Sequence, residues 1–313
     1  MSESLSQLRG SDLLTLSSLD EATILSLFAT AAAMKKDYGP FSRTLAGKSV
    51  ILLFEKPSLR TRISFEVGIA KLGGHAIYMD HSGQRLGERE SVTDYGKNLE
   101  RWVSLIVARV FRHSVVNELA SAARVPVINA LCDLYHPCQA LADYLTLWER
   151  HGKVRGLRVA YIGDGNNVCH SLMHGAAMLG AELVAITPNG HECDPEIVEG
   201  ARALAATGGG RIVETSDPDA VAGVDAVYTD VWVSMGEAAH SASERKKFLK
   251  YQVNEGLMAK AGVGAVFMHC LPAKRGQEVT DGVMDGSMSV AYDQAENRMH
   301  AQCALMHHMF AKQ

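Results

Sequence analysis

The densest chemistry in the sequence lies at Ser58-Leu59-Arg60-Thr61-Arg62, where hydroxyls and guanidiniums follow the apolar run Val50 to Phe54. That run reads as a buried strand, and the apolar-periodic segment after the cluster reads as a helix, so the polar residues fall at a helix start. Unpaired backbone N–H groups and the positive dipole end there favour an anion of phosphate size, and the planar fork of arginine matches its oxygens. The motif alone also leaves open an ordinary strand-to-helix turn with surface arginines.

Further candidates stand at other strand ends. His136 and Gln139 share one face of a helix start, where His can donate to a carbonyl oxygen and Gln can accept from an amide N–H₂; alternatively His136 caps its own helix. Arg109 closes the apolar strand Leu105 to Val110 and is either an edge residue or a ligand-facing cation. Cys270 sits between His269 and Leu271-Pro272 and reads as a nucleophile beside a base or as a substrate-binding group. Neighbours on an extended chain point to opposite faces, which weighs against His269 as its base. Asn167 and Asp230 suit the ammonium and carboxylate of an amino acid, and Arg298 either reaches back to the site or is a solvated charge.

Gly163-Asp164-Gly165-Asn166-Asn167-Val168 is a weak match to a dinucleotide fingerprint, because Val168 replaces the third glycine and Thr187-Pro188-Asn189 stands where an acid is needed. The adjacent His307-His308 lack the i,i+4 spacing of a metal pair, and the six cysteines include no C-x-x-C. No cofactor and no metal are expected.

Strand and helix patterns must position these residues, and they alternate throughout, as in a parallel sheet covered by helices. Strands are expected at Val50–Phe54, His75–Met79, Leu105–Val110 and Val127–Asn129, then at Arg158–Ile162, Glu182–Ile186, Arg211–Glu214, Ala226–Thr229, Ala265–Met268 and Ser289–Tyr292. A loop is expected to begin at Asp230 to Gly236, followed by charged helical sequence to about Lys260, and a closing helix from Ala295 to Lys312. Asp80 to Ser91 reads as a long exposed loop of the kind that carries binding function. The polar, glycine-flanked stretch His151 to Gly156 divides the chain into domains 1–151 and 152–313, each doubly wound, with ligands at the carboxyl ends of strands.

With 313 residues, 47% hydrophobic and 21% charged, and a formal net charge of −4, the chain can bury two cores. It has no basic excess for nucleic acid and no apolar run long enough for a membrane span. Met1 to Gln7 shows no secretory pattern, so a cytoplasmic location is expected.

Together these stretches resemble the aspartate/ornithine carbamoyltransferase family from about Leu45 onward. Ser58 to Arg62 is similar to its Ser-Thr-Arg-Thr-Arg motif, with Leu59 in place of a threonine, and His136-Pro137-Cys138-Gln139 to its His-Pro-x-Gln motif. Asp230-x-Trp232-x-Ser234-Met235-Gly236 and His269-Cys270-Leu271-Pro272 are similar to the ornithine branch. The resemblance implies two domains with an interdomain cleft, a C-terminal helix (about 295–313) packed back on the first, and a homotrimer with shared sites. It also implies carbamoyl transfer from carbamoyl phosphate to ornithine, giving citrulline in arginine biosynthesis or the reverse. Ser58, Leu59, Arg60, Thr61, Arg109, His136, Gln139, Cys270, Leu271 and Arg298 would bind carbamoyl phosphate, with Gln84 reaching a neighbouring subunit. Asn167, Asp230, Ser234 and Met235 would bind ornithine, with Cys270 and Asp230 near its side-chain amine. Putrescine or an N-acylated ornithine is the alternative acceptor; a nicotinamide-dependent dehydrogenase is a distant one.

Overall fold

The computed structural model describes residues 8–233 and 241–311. The chain forms two compact units, one running through Leu145 and resuming at Asn297, the other Thr146–Glu296. The first contains α1 (Glu21–Lys36), β1 (Ser49–Phe54), α2 (Leu59–Lys71), β2 (His75–Asp80), α3 (Val92–Leu99), β3 (Leu105–Arg109), α4 (His113–Ala122), β4 (Val127–Leu131) and the start of α5 (Pro137–His151). The second contains β5 (Arg158–Ile162), α6 (Asn167–Leu179), β6 (Glu182–Ile186), α7 (Pro195–Gly208), β7 (Arg211–Thr215) and β8 (Ala226–Thr229). It continues with α8 (Ala242–Phe248), α9 (Glu255–Ala261), β9 (Val266–His269), α10 (Asp281–Met284) and the first turns of α11 (Ala291–Phe310).

Both sheets are wholly parallel, with orders β2-β1-β3-β4 and β7-β6-β5-β8-β9. All of β3 and nearly all of β1 and β5 are buried, as strands covered on both faces require. The chain enters each sheet in its interior, winds outward, then crosses back to the other side. Right-handed crossovers running in opposite directions put helices on opposite faces, which is the doubly wound plan. The order reverses between β1 and β3 and between β5 and β8, and in such sheets the crevice at the reversal takes the ligand.

Two expectations are corrected. Ser289 to Tyr292 is not a strand: Ser289 makes a single bridge to Phe267, and α11 already begins at Ala291. Ala291 and Ala295 favour helix, and Val290 accepts from Gln294 N–H, turning the chain before a second bridge can form. The charged stretch before Lys260 is not continuous helix either, because Asn254 caps a new helix by accepting from Leu257 N–H.

Within the first unit α11 lies along α1 and α2. His308 Nε2 meets Thr30 Oγ1 at 2.9 Å, His307 Nδ1 meets Thr44 Oγ1 at 2.8 Å, and His300 Nδ1 meets Tyr38 OH at 2.8 Å. A Cβ added at Gly68 would stand 2.7 Å from Cys303 Sγ, so the glycine allows the two helices to approach closely.

Two buried histidines, His308 in α11 and His174 in α6, make the fold acid-sensitive. Burial, then His307, pushes His308 down to about 4; burial, then His170, pushes His174 down to about 4. A histidine with a depressed folded pKa leaves stability intact above its unfolded pKa near 6.5. Between 6.5 and about 4 the unfolded chain binds the proton first, so stability falls with pH, by at most about 3 kcal/mol per histidine. The expected result is a melting temperature that drops between pH 7 and pH 4.5, with a shallower slope in His308→Gln; identical slopes would contradict it.

Candidate functional site

The β1–β3 crevice is built by short-range rules. Ser58 is the N-cap of α2: its Oγ accepts from Thr61 N–H at 3.3 Å and donates to Thr61 Oγ1 at 3.0 Å. Arg109, at the end of β3, donates from Nε to the Lys56 carbonyl at 3.2 Å and from a terminal nitrogen to Thr61 Oγ1 at 3.5 Å. From α11, Arg298 donates to Thr61 Oγ1 at 2.6 Å, to Gln139 Oε1 at 3.0 Å and to His136 Nε2 at 3.0 Å. Arg298 thus reaches back to Thr61, settling the choice that sequence left open. Gln139 passes the link on to Asp143 at 2.8 Å.

Two guanidiniums, only 6% and 4% exposed, converge here on neutral oxygens beside a helix N-terminus. Like charges held together in low dielectric favour an anion between them. Arg60, on the first turn of α2, is half-buried beside this group, and Leu59 is 74% exposed.

His136 is neutral: burial, then Arg298 and Arg109, hold it well below the ordinary histidine range. Because Arg298 donates to Nε2, the proton sits on Nδ1. Its backbone carbonyl receives Gln139 and Ala140 N–H, so the main chain caps α5 and the ring is left for the crevice.

Glu55, between β1 and the Ser58 to Arg62 motif, carries no signal in the sequence that marks it. Its buried carboxylate accepts from Leu86 N–H and Phe111 N–H, both at 2.7 Å, tying the loop after β1 to the polar loop and to the residues after Arg109. A buried acid flanked by polar residues has no sequence signature that separates it from a surface one. Gln84 is exposed in the polar loop, where its backbone closes a turn with His81, and it lines a separate cavity of about 400 Å³ with Arg85, Arg89 and Tyr95.

The β5–β8 crevice of the second unit is organised by Asn166. This N-cap of α6 accepts from Val168 and Cys169 N–H and from Tyr161 OH, and its Nδ2 donates to Asp230 Oδ2 at 3.0 Å. Asp230 Oδ1 takes Val231 N–H at 2.7 Å and the Cys270 thiol at 3.0 Å. Asn166 therefore joins Asp230 directly, and Asn167 is half-buried one position along. Ser234 and Met235 lie outside the described residues.

The structure overturns two sharper readings. Both ring nitrogens of His269 are engaged by groups other than the Cys270 thiol: Nδ1 accepts from Leu271 N–H at 2.8 Å and Nε2 donates to Glu278 at 3.2 Å. With both nitrogens occupied it serves neither as base for Cys270 nor as a metal ligand beside Asp230 and Cys270, whose ligand atoms lie within 4.8 Å of its own. Gly165, where a dinucleotide's pyrophosphate would approach, is packed against Glu192–Cys193: an added Cβ would stand 2.4 Å from Cys193 N. The fingerprint glycine makes room for protein backbone instead of a cofactor.

Fold and site together define a two-unit α/β protein, each unit doubly wound, with an anion crevice on the first sheet and an Asn–Asp–Cys cluster on the second. Family models for the carbamoyl-phosphate-binding and the aspartate/ornithine-binding domains of aspartate/ornithine carbamoyltransferase match residues 11–149 and 155–309. Similar proteins include the ornithine carbamoyltransferase of Shewanella oneidensis, 52% identical over 298 residues (95% of this chain, 99% of that one). The Pyrococcus horikoshii ornithine carbamoyltransferase is 48% identical over 302 residues (96% and 95%). Among solved structures, the Pyrococcus furiosus ornithine carbamoyltransferase superposes with a TM-score of 0.93 at 47% identity, covering 98% of this chain and 99% of that one. The chain belongs to the aspartate/ornithine carbamoyltransferase family.

Proposed function

We propose that the chain transfers the carbamoyl group of carbamoyl phosphate to the side-chain amine of L-ornithine, giving L-citrulline and phosphate. The observation that carries this reading is the network joining Thr61, Arg109, His136, Gln139 and Arg298 at the switch point of the first sheet. Ser58, Arg60, Thr61 and the Leu59 N–H hold the phosphate; Gln139 and the backbone carbonyls of Cys270 and Leu271 take the carbamoyl amide. As the neutral amine attacks, charge develops on the carbonyl oxygen, where Arg109, His136 and Thr61 stabilise it, and then on the leaving phosphate, which Arg60 and Arg298 stabilise. The phosphate accepts the amine's proton as it leaves. On the second sheet Asp230, with Asn167, Ser234 and Met235, binds ornithine, and Asp230 and the protonated thiol of Cys270 face its reacting amine.

The decisive experiment is phosphate release from carbamoyl phosphate with ornithine, acetylornithine and putrescine side by side. Citrulline formation outpacing both alternatives is expected; a faster rate with either rival would transfer the assignment to it.

Leu59 leaves the phosphate cup one hydroxyl short of the family motif. Leu59→Thr is expected to lower KM for carbamoyl phosphate by about two- to tenfold, the worth of one neutral hydrogen bond. An unchanged KM would show that the backbone N–H alone matters here.

The proposed assembly is a homotrimer in which Gln84 serves a neighbouring subunit. Leu59, Ile63 and Val67 share one exposed face of α2, and the outer strand β2 exposes Ile77 and Met79. An apolar stripe beside a sheet edge favours burial against another copy. A solution mass three times 33.8 kDa, or a multiple of that, is expected, and a monomer would refute it.

A further inference from the structure

Glu278 is 0% exposed and has no part in the chemistry above. Its Oε1 accepts both His269 Nε2–H at 3.2 Å and the backbone N–H of Lys274. His269 Nδ1 in turn accepts Leu271 N–H at 2.8 Å. One buried carboxylate therefore ties down both ends of the turn from Cys270 to Lys274. It also fixes His269 as the neutral Nε2–H tautomer, the only form in which a histidine donating to Glu278 leaves Nδ1 able to accept from Leu271. The constraint is needed locally: Leu271 sits at φ +59, in the left-handed region that a leucine seldom adopts and that persists only where the surroundings enforce it. Gln294 braces the same turn by accepting His269 N–H at 2.9 Å.

We infer that Glu278 is a positioning residue for carbamoyl transfer: acting through His269, it holds the Cys270–Leu271 backbone so that its carbonyl oxygens accept the amide of carbamoyl phosphate. The inference rests on the reading of carbamoyl phosphate as substrate. It places the control of carbamoyl orientation in a residue that touches neither substrate.

Three variants of the full chain test it. Glu278→Ala removes the acceptor, Glu278→Gln keeps one oxygen for both donors, and His269→Asn keeps an acceptor for Leu271 N–H but cannot reach Glu278. Glu278→Ala and His269→Asn are expected to lose about tenfold to a hundredfold in kcat/KM for carbamoyl phosphate, and Glu278→Gln to recover most of it. The inhibition constant of inorganic phosphate, which probes the anion cup and not the Cys270–Leu271 turn, should stay within about twofold in all three. Wild-type kcat/KM in Glu278→Ala, or phosphate inhibition weakening in step with turnover, would overturn the inference. If Glu278→Ala does not fold, His269→Asn decides by the same criteria. A wild-type chain that turns over no carbamoyl phosphate would instead bring down the functional reading, and the inference with it.

Discussion

Arg298→Ala is expected to lower kcat/KM for carbamoyl transfer by about a thousandfold. Arg298 donates at once to Thr61, Gln139 and His136, so it presents a fixed positive charge beside the anion cup while orienting each of the groups assigned to the carbamoyl end. Removing one preorganised donor from a site of developing negative charge typically costs about 10²–10³ in rate, and Arg298 carries a full charge as well as its donors. Alanine also removes the donor to Gln139 Oε1 and to His136 Nε2 in a buried place, so a lower melting temperature should accompany the loss. Arg298→Lys separates the two effects: it keeps the charge but not the fork, and should recover stability more fully than rate. Steady-state kinetics beside thermal unfolding checks this, and activity within tenfold of wild type in Arg298→Ala would remove Arg298 from the site.

The second large effect falls on the other substrate. Asp230→Asn should lower kcat/KM for ornithine by at least about a hundredfold while KM for carbamoyl phosphate changes less than about threefold. A cationic ligand about 4 Å from a partly buried carboxylate gains roughly 4 kcal/mol at an effective dielectric near 20, and asparagine forfeits that attraction. It also misplaces donors: one Asp230 oxygen takes Asn166 Nδ2–H and the other takes Val231 N–H and the Cys270 thiol, so an amide N–H₂ at either place faces another donor. Separate titration of each substrate measures the split. An unchanged ornithine response would assign the amino acid to another place on the chain.

The anion cup was legible in the sequence for a local reason. Ser58 caps a helix whose start follows directly from a buried strand, and N-capping, strand burial and helix propensity are all decided within a few residues. The strand ends were legible likewise, because apolar runs and turn residues mark them. Glu55, Asn166 and Glu278 were not, since what matters in each is its partner across the fold: Leu86 and Phe111, Asp230, and His269. Ser289 to Tyr292 reads as a strand because β-branched Val290 and the aromatic Tyr292 outweigh alanines whose helical preference acts only over a longer run.

By itself, then, the sequence determined the alternation of strands and helices, the capped helix that forms the cup, and the ordered motifs that point to carbamoyl transfer. These depend on neighbours along the chain. Tertiary structure decided that Arg298 meets Thr61 across 237 residues, that His136 keeps its proton on Nδ1, and that His269 belongs to Glu278 and Leu271 instead of Cys270. Hydrogen-bond partners, tautomers and the charge a buried group can carry are set by distance and dielectric in space, and neither is written in the spacing of residues along the chain.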